Sequence, residues 1–193
     1  MRRALLAAAL ALALGPSLRA GVGLRIGAWY GPQLVNDAKI NDVYGKTQAF
    51  SVLPYIETRF GPGLTLSAGY ELGYDRSGVI GPYDYAARLR MSGINILAGY
   101  EFRADMLALF AQAGVGFYAY QQTLDNPGVT DMPVDARKTA VLAAGGIKIY
   151  PTQGVFIGFE ARYVSLKVKP YDATVDLGGW RFAVGAGIAL DFR

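Results

Sequence analysis

The sequence predicts an all-β protein, an eight-stranded antiparallel up-and-down transmembrane β-barrel, and three observations support this fold class. Apolar residues recur at every second position in eight segments, which is the period of a strand with two unlike faces. The connections between these segments alternate between long and short. The face opposite the apolar one is rich in glycine and charge, which suits the interior of a narrow barrel better than a surface in water.

The chain begins with a predicted signal peptide over residues 1–20. A basic start precedes an apolar run at 4–14, and we expect cleavage after Ala20. The run is too short to span a bilayer as a helix, which takes about 20 apolar residues. We therefore expect export, followed by a mature barrel domain over 21–193.

Charge and composition limit the classes of function. Three of the 19 basic residues lie in the signal peptide, which leaves 16 basic against 15 acidic residues. A chain so near neutrality lacks the basic surface that nucleic acids require, so we expect no nucleic-acid partner. The sequence contains no Cys and no His, which removes thiol nucleophiles, most zinc sites and His-dependent hydrolases. We expect no cofactor, no metal and no catalytic activity.

Each predicted strand has one apolar face and one face of small, polar or charged residues. In 64–74, Leu64 and Leu66 lie on the apolar face, whereas Thr65 and Glu71 lie on the other. Most segments approach the 9–11 residues that cross a bilayer at a tilt. The predicted strands cover 22–30, 50–60, 64–74, 94–102, 107–119, 141–149, 155–163 and 180–192.

The connections predict the orientation of the barrel. Membrane barrels of this kind have tight turns at the periplasmic rim and longer loops at the extracellular rim. We therefore expect both chain ends at the periplasmic side and the long loops outside. The short connections are 61–63, 103–105 and 151–154, and the long ones are 31–49, 75–84, 121–138 and 169–178.

Two local irregularities are expected within the strands. The segment 85–92 also alternates, but its parity slips near Gly93, which predicts a β-bulge in the fourth strand. Pro54 lies inside the second predicted strand and has no N–H for the ladder, so the pairing should be interrupted there.

Aromatic residues occupy both ends of the apolar face. Two bands of aromatic residues around a barrel, one at each membrane interface, are typical of a surface that meets lipid. The predicted girdle comprises Tyr30, Phe50, Tyr74, Phe117, Tyr163 and Trp180 at the long-loop end, and Phe60, Phe102 and Phe192 at the short-turn end.

Ten charged residues fall on the predicted inward face. An eight-stranded barrel has room inside only for side chains, and an unpaired buried charge is costly, so we expect opposite charges to pair in a filled, structural lumen. A narrow porin-like channel for small solutes or ions, with the same charges as selectivity groups, is the alternative. The predicted lumen charge network comprises Arg25, Glu57, Arg59, Glu71, Glu101, Lys148, Glu160, Arg162, Arg181 and Asp191.

A soluble, lipocalin-like ligand-binding barrel is a further alternative. Its apolar face would point inward, and its glycine-rich face would meet water. Glycine on a solvated strand face weakens the strand without packing against anything, which favours the membrane barrel.

The C-terminal run 187–192 alternates apolar residues up to the aromatic Phe192. With the signal peptide, the eight strands and the loop pattern, it resembles the small outer-membrane β-barrels of Gram-negative bacteria, the OmpA-like, OmpX-like and opacity-protein group. The resemblance implies an outer-membrane monomer with a structural or surface-interaction role. It also implies membrane lipids and lipopolysaccharide as partners, and insertion by the barrel-assembly machinery through the C-terminal strand.

Overall fold

Eight long antiparallel strands close into a barrel in the computed structural model, which describes residues 21–44, 49–80, 85–125, 134–168 and 174–192. The predicted signal peptide, residues 1–20, lies outside the described residues. The elements are β1 (Val22–Val35), α1 (Ala38–Tyr44), β2 (Ala49–Phe60), β3 (Leu64–Ile80), β4 (Tyr85–Ala104), β5 (Leu107–Asp125), β6 (Val134–Thr152), β7 (Val155–Ser165), β8 (Lys167–Val168), β9 (Val175–Asp176) and β10 (Gly179–Phe192).

Closure of the barrel depends on the pairing of its first and last strands. β1 pairs with β10 on one side, from Val22 opposite Phe192 to Val35 opposite Gly179, and with β2 on the other. The strand order is β1-β10-β7-β6-β5-β4-β3-β2, and β8 and β9 form a separate small hairpin. The predicted fold class is therefore confirmed. No helix in the described part of the chain is long and apolar enough to cross a membrane.

The two faces of the strands point as the alternation predicts. On β2, the side chain of Ile56 is 47% exposed on the outside, whereas Glu57 is 2% exposed inside. The same relation recurs around the barrel, with apolar residues outside and glycine and charge inside. The soluble, lipocalin-like alternative is therefore wrong, because it requires the opposite orientation.

The barrel wall has two heights. β3, β4, β5 and β6 contain 17, 20, 19 and 19 residues, whereas β1, β2, β7 and β10 contain 14, 12, 11 and 14. All strands meet at the short-turn rim, so the longer four extend further at the long-loop rim. We call these four strands the tall wall.

The long-loop end of the interior is apolar. Ile40 and Tyr44 of α1 pack in one cluster with Leu89 and Met91 of β4. Residues before and after the β8–β9 hairpin, such as Leu177, complete this cluster, which we call the cap core. A helix and a hairpin from two long loops therefore cover the barrel mouth.

The cap core explains why the predicted bulge in β4 is wrong. The pairing of β4 with β5 is continuous from Ala86 to Ala104, and the register shifts instead in β3, between Glu71 and Tyr74. Beyond Gly93, toward the long loops, the inward positions of β4 become apolar because they face the cap core. The inward side chains therefore change from polar to apolar there, while the backbone continues to alternate between inward and outward positions without a bulge.

The expected interruption at Pro54 is confirmed. The ladder between β2 and β3 joins Val52 to Leu72 and Tyr55 to Gly69, and the pairs between them are missing. Pro54 keeps its place opposite Ala28 of β1. Pro54, which has no N–H to donate, thus lies where β2 lacks regular pairing with β3.

Candidate functional site

Four charged side chains form a closed ring of ion pairs in the part of the lumen near the short-turn rim. Arg25 Nη1 lies 3.0 Å from Glu57 Oε1, and Arg25 Nη2 lies 2.7 Å from Glu101 Oε1. Lys148 Nζ lies 2.6 Å from Glu57 Oε1 and 3.1 Å from Glu101 Oε2. Each cation thus touches both anions. We call these four residues the charge ring.

A second group of charges lies further along the barrel. Arg181 Nη1 lies 3.0 Å from Glu71 Oε1, and Arg162 Nη2 donates a hydrogen bond of 3.0 Å to Glu160 Oε2. Arg181 Nη2 also approaches Glu160 Oε1 at 4.0 Å. All four side chains are buried. This second charge cluster is balanced, with two cations and two anions.

The remaining two predicted lumen charges lie nearer the short-turn rim. Arg59 is partly exposed, and its Nε is 3.9 Å from Glu101 Oε1. Asp191 lies outside the buried network, because β10 has reached the rim there. Its side chain is 46% exposed, with Oδ2 3.5 Å from Arg103 Nη1. The Arg103 guanidinium lies over the Tyr150 ring, 4.0 Å from its centroid.

Neutral polar residues outside the predicted lumen charge network also bind the buried carboxylates. The Tyr118 hydroxyl donates to Glu71 Oε2 at 3.0 Å, and Asn95 Nδ2 donates to the same oxygen at 3.3 Å. Gln112 Nε2 donates to Glu57 Oε2 at 2.8 Å. All three share the inward parity of the charged residues, which is the signal that identifies them.

Aromatic rings fill the interior beside both charged groups. Trp29 stacks on Tyr55, with ring centroids 5.8 Å apart, and contacts Phe110 at 6.1 Å. Tyr55 in turn lies 6.5 Å from Phe156. Glycine makes the space for them, because a Cβ built on Gly185 would lie 2.2 Å from Trp29 Cε3.

Little empty space remains in this part of the lumen. A cavity of about 10 Å³ lies among Trp29, Glu57, Phe110, Lys148 and Arg162. That volume is close to the lower limit for one water molecule. No group of three or more His, Cys, Asp or Glu residues in the described ranges is arranged to hold a metal ion.

The predicted girdle residues with described side chains lie on the outer surface. Tyr30 and Phe50 stack on adjacent strands with centroids 5.5 Å apart, and Tyr163 and Trp180 lie 5.3 Å apart. Tyr163 is half-buried, and the side chain of Tyr74 lies outside the described residues. The other outward girdle residues are Phe117 toward the long-loop rim and Phe60, Phe102 and Phe192 at the short-turn rim.

An apolar outer surface around a charged, packed interior defines a barrel of the transmembrane class. No family model and no curated protein matches the sequence. Among solved structures, the chain is similar to Ail, the attachment invasion locus protein of Yersinia pestis. The TM-score is 0.54 at 14% identity, over 89% of this chain and 99% of that one.

It is also similar to Neisserial surface protein A, with a TM-score of 0.56 at 14% identity, over 86% of this chain and 96% of that one. Identities this low establish the fold alone. At that level, the resemblance to the small outer-membrane barrels is confirmed.

Proposed function

We propose that this chain is an integral outer-membrane β-barrel protein with a closed lumen and a structural or surface-interaction role. Residues 1–20 direct export, and both ends of the mature chain are periplasmic. The long loops are extracellular. Membrane lipids and lipopolysaccharide surround a monomer, which the barrel-assembly machinery inserts through β10.

The outer surface supports residence in a membrane. Ile26, Ile96 and Ile157 point outward between the two bands of the aromatic girdle, and each exposes two-fifths or more of its side chain. A contiguous apolar belt around a whole barrel is far larger than the exposed patches of soluble monomers. Hydrocarbon is the environment in which such a belt is stable, and a closed barrel leaves no strand edge unpaired in it.

The packing of the interior is the single observation on which the proposal of a closed lumen rests. The charge ring, the aromatic rings, the second charge cluster and the cap core follow one another along the barrel. The cavity among them has a volume of about 10 Å³, close to the lower limit for one water molecule, and this tight packing supports a lumen closed to solutes. Paired charges in this interior balance one another, which is a structural use of charge rather than a selective pore. Catalytic activity is not part of the proposal.

Two measurements on the refolded mature protein test the proposal together. Gel mobility before and after boiling reports whether a closed barrel forms in detergent. Planar-bilayer recordings then report whether the barrel conducts ions. We expect a heat-dependent mobility shift and no discrete conductance steps. Regular single-channel steps from a heat-modifiable barrel would overturn the closed lumen and favour the narrow channel.

A matched pair of variants identifies what closes the lumen. Combined Trp29→Ala and Phe110→Ala removes two interior rings, whereas combined Phe117→Ala and Phe159→Ala removes two outward rings of the same type. We expect conductance from the first pair alone. If both double variants fold and neither conducts ions, the interior aromatic side chains are not what closes the lumen.

A further inference from the structure

Two arginines and two neutral polar residues meet inside the barrel directly below the cap core. We propose that Gln33, Ser51, Arg162 and Arg181 bind one small inorganic anion of the size of chloride. We call these four residues the inner polar site. The inference rests on the closed lumen of the proposed function, and it adds a ligand that a purely structural interior does not require.

Strand register brings the inner polar site together. Arg181 of β10 lies opposite Arg162 of β7 on one side and opposite Gln33 of β1 on the other. Ser51 of β2 lies opposite Gly31, so it is a diagonal neighbour of Gln33. Adjacent strands are about 4.8 Å apart, and all four side chains are buried. They therefore form one inward arc across four neighbouring strands.

Several buried N–H groups of this site have no acceptor among the residues that the structure describes. They belong to Arg162 Nε and Nη1, to Arg181 Nε and Nη2, and to Gln33 Nε2. The Ser51 hydroxyl has no hydrogen-bond partner there either. Buried polar groups in folded proteins are nearly always paired with protein, water or an ion, and a guanidinium group can only donate. The site therefore calls for an acceptor.

The carboxylates of the second charge cluster are engaged elsewhere. Arg162 Nη2 donates to Glu160 Oε2 at 3.0 Å, and Arg181 Nη1 lies 3.0 Å from Glu71 Oε1. Glu71 Oε2 accepts two hydrogen bonds from neutral side chains. Arg181 Nη2 is 4.0 Å from Glu160 Oε1, which is too far for a hydrogen bond. These carboxylates thus leave the other N–H groups of both arginines unserved.

An acceptor with negative charge suits these donors best. The two guanidinium groups come from directly opposed residues, and an anion between them offsets their mutual repulsion while it accepts charge-assisted hydrogen bonds. A water molecule would instead bring two further O–H donors to a site that already has an excess of donors. The chemistry therefore favours an anion over water.

Apolar layers on both sides limit the size of the anion. Val35 and Val164 of the cap core lie two positions beyond Gln33 and Arg162 on the same inward faces. The Trp29 ring belongs to the aromatic layer on the opposite side. A monatomic anion fits between such layers more readily than a sulfate or a carboxylic acid.

The cap core separates the site from the extracellular side. Asn36 N donates to Gly178 O at 2.9 Å, and Asp176 N donates to Asp37 Oδ2 at 3.1 Å. These bonds join the segment before α1 to the β8–β9 hairpin. An anion held beneath the closed cap stabilises the closed state as its concentration rises. Binding should therefore slow the opening of residues 31–44.

A chloride titration of the mature protein, refolded in a nonionic detergent, tests the site. Gluconate, a larger monovalent anion, replaces chloride at constant ionic strength. The readout is hydrogen exchange of the amides in 31–44. We expect exchange to be about tenfold slower at about 100 mM chloride than without chloride, which corresponds to a dissociation constant of about 10 mM.

A matched pair of double variants assigns the effect to these residues. Combined Q33L and S51A should abolish the chloride dependence. Combined S67A and Q112L should keep it, because this buried serine and glutamine bind each other and Glu57 nearer the short-turn rim. The single variant Q33E places a carboxylate in the inner polar site. It should make exchange slow without chloride and insensitive to added chloride.

Anomalous diffraction from crystals grown in bromide locates the ion directly, and we expect a peak between Arg181 and Gln33. Peaks confined to the protein surface would indicate an adventitious ion only and would overturn the inference. Chloride-independent exchange in the unmodified protein would also overturn it, as would a chloride effect that persists in Q33E or in folded Q33L and S51A. Failure to form a non-conducting, heat-modifiable barrel refutes the proposed function itself. Such a barrel without chloride dependence refutes the anion site alone.

Discussion

The ammonium nitrogen of Lys148 lies 2.6 Å from Glu57 Oε1 inside the barrel, where both side chains are buried. Lys148→Met keeps the chain length and removes the charge. Glu57 and Glu101 would then share Arg25 as their remaining buried cation of the charge ring. We expect a loss of about 3–5 kcal/mol in the free energy of unfolding, which is typical for a broken buried ion pair. Urea unfolding in lipid vesicles measures it.

The double variant Glu57→Gln with Lys148→Met provides the control for this loss. It removes one charge of each sign. Because the two residues are in contact, the double variant should lose less free energy of unfolding than the sum of the losses in the two single variants. An unfolding free energy of Lys148→Met equal to that of the unmodified protein would contradict the structural role of the charge ring.

Gly185 provides space for Trp29. Gly185→Ala places a Cβ 2.2 Å from Trp29 Cε3 and 2.7 Å from the Ala28 carbonyl oxygen. We expect a loss of about 1–3 kcal/mol, as for other overpacked interiors. The matched control is Gly145→Ala, whose Cβ would meet one backbone oxygen at 3.4 Å. Equal stability of the two variants in vesicle unfolding would be inconsistent with this packing.

The cap core should respond to substitution separately from the barrel below it. Ile40→Asn places a polar group among Leu89, Met91 and their apolar neighbours. We expect amide exchange in 31–44 to accelerate about tenfold or more, because local opening becomes easier. Heat-dependent gel mobility should be unchanged. Asp42→Asn on the exposed side of α1 is the control, and protection lost equally in both variants would refute the prediction.

Asp75 offers a pH-dependent test outside the membrane. Hydrogen bonds from Arg88, together with those from Arg90 and the charges of both arginines, lower the pKa of the Asp75 carboxyl. We expect carboxyl NMR to show a pKa below the usual value of about 3.9, and Arg88→Gln to raise it. Because the folded pKa is lowered, the stabilising contribution is complete above the unfolded pKa and is lost as pH falls through the folded pKa. A pKa unchanged by Arg88→Gln would exclude the contact.

The membrane-level fold was predictable because each strand buries one face and exposes the other to lipid. That rule gives residues such as Glu57, Glu71 and Glu160 their inward direction from parity alone. The alternation of the strand faces does not specify which of the inward charged residues pair with one another. The pairing of Arg25 with Glu101 depends on barrel closure, which brings together residues 76 positions apart.

The cap core was missed for a different reason. Ile40 and Tyr44 lie in a segment predicted as a loop, and the predicted bulge at Gly93 would have turned Leu89 and Met91 to the outer face, whereas both are buried inside. Above the membrane, water surrounds the barrel and the polarity of the two faces is exchanged. A rule derived from the lipid-facing segments therefore fails at that level, and it misplaced the bulge for the same reason.

The two tryptophans of the sequence allow the most direct test of the orientation of the strand faces. Trp180 is 47% exposed on the outer surface, and Trp29 is 2% exposed inside. Trp29→Phe leaves Trp180 as the fluorophore, and Trp180→Phe leaves Trp29. In vesicles containing brominated phosphatidylcholine, we expect strong quenching of Trp180 and little quenching of Trp29. Strong quenching of Trp29 with an unquenched Trp180 would contradict the central claim that the apolar faces meet lipid and the charged faces fill the lumen.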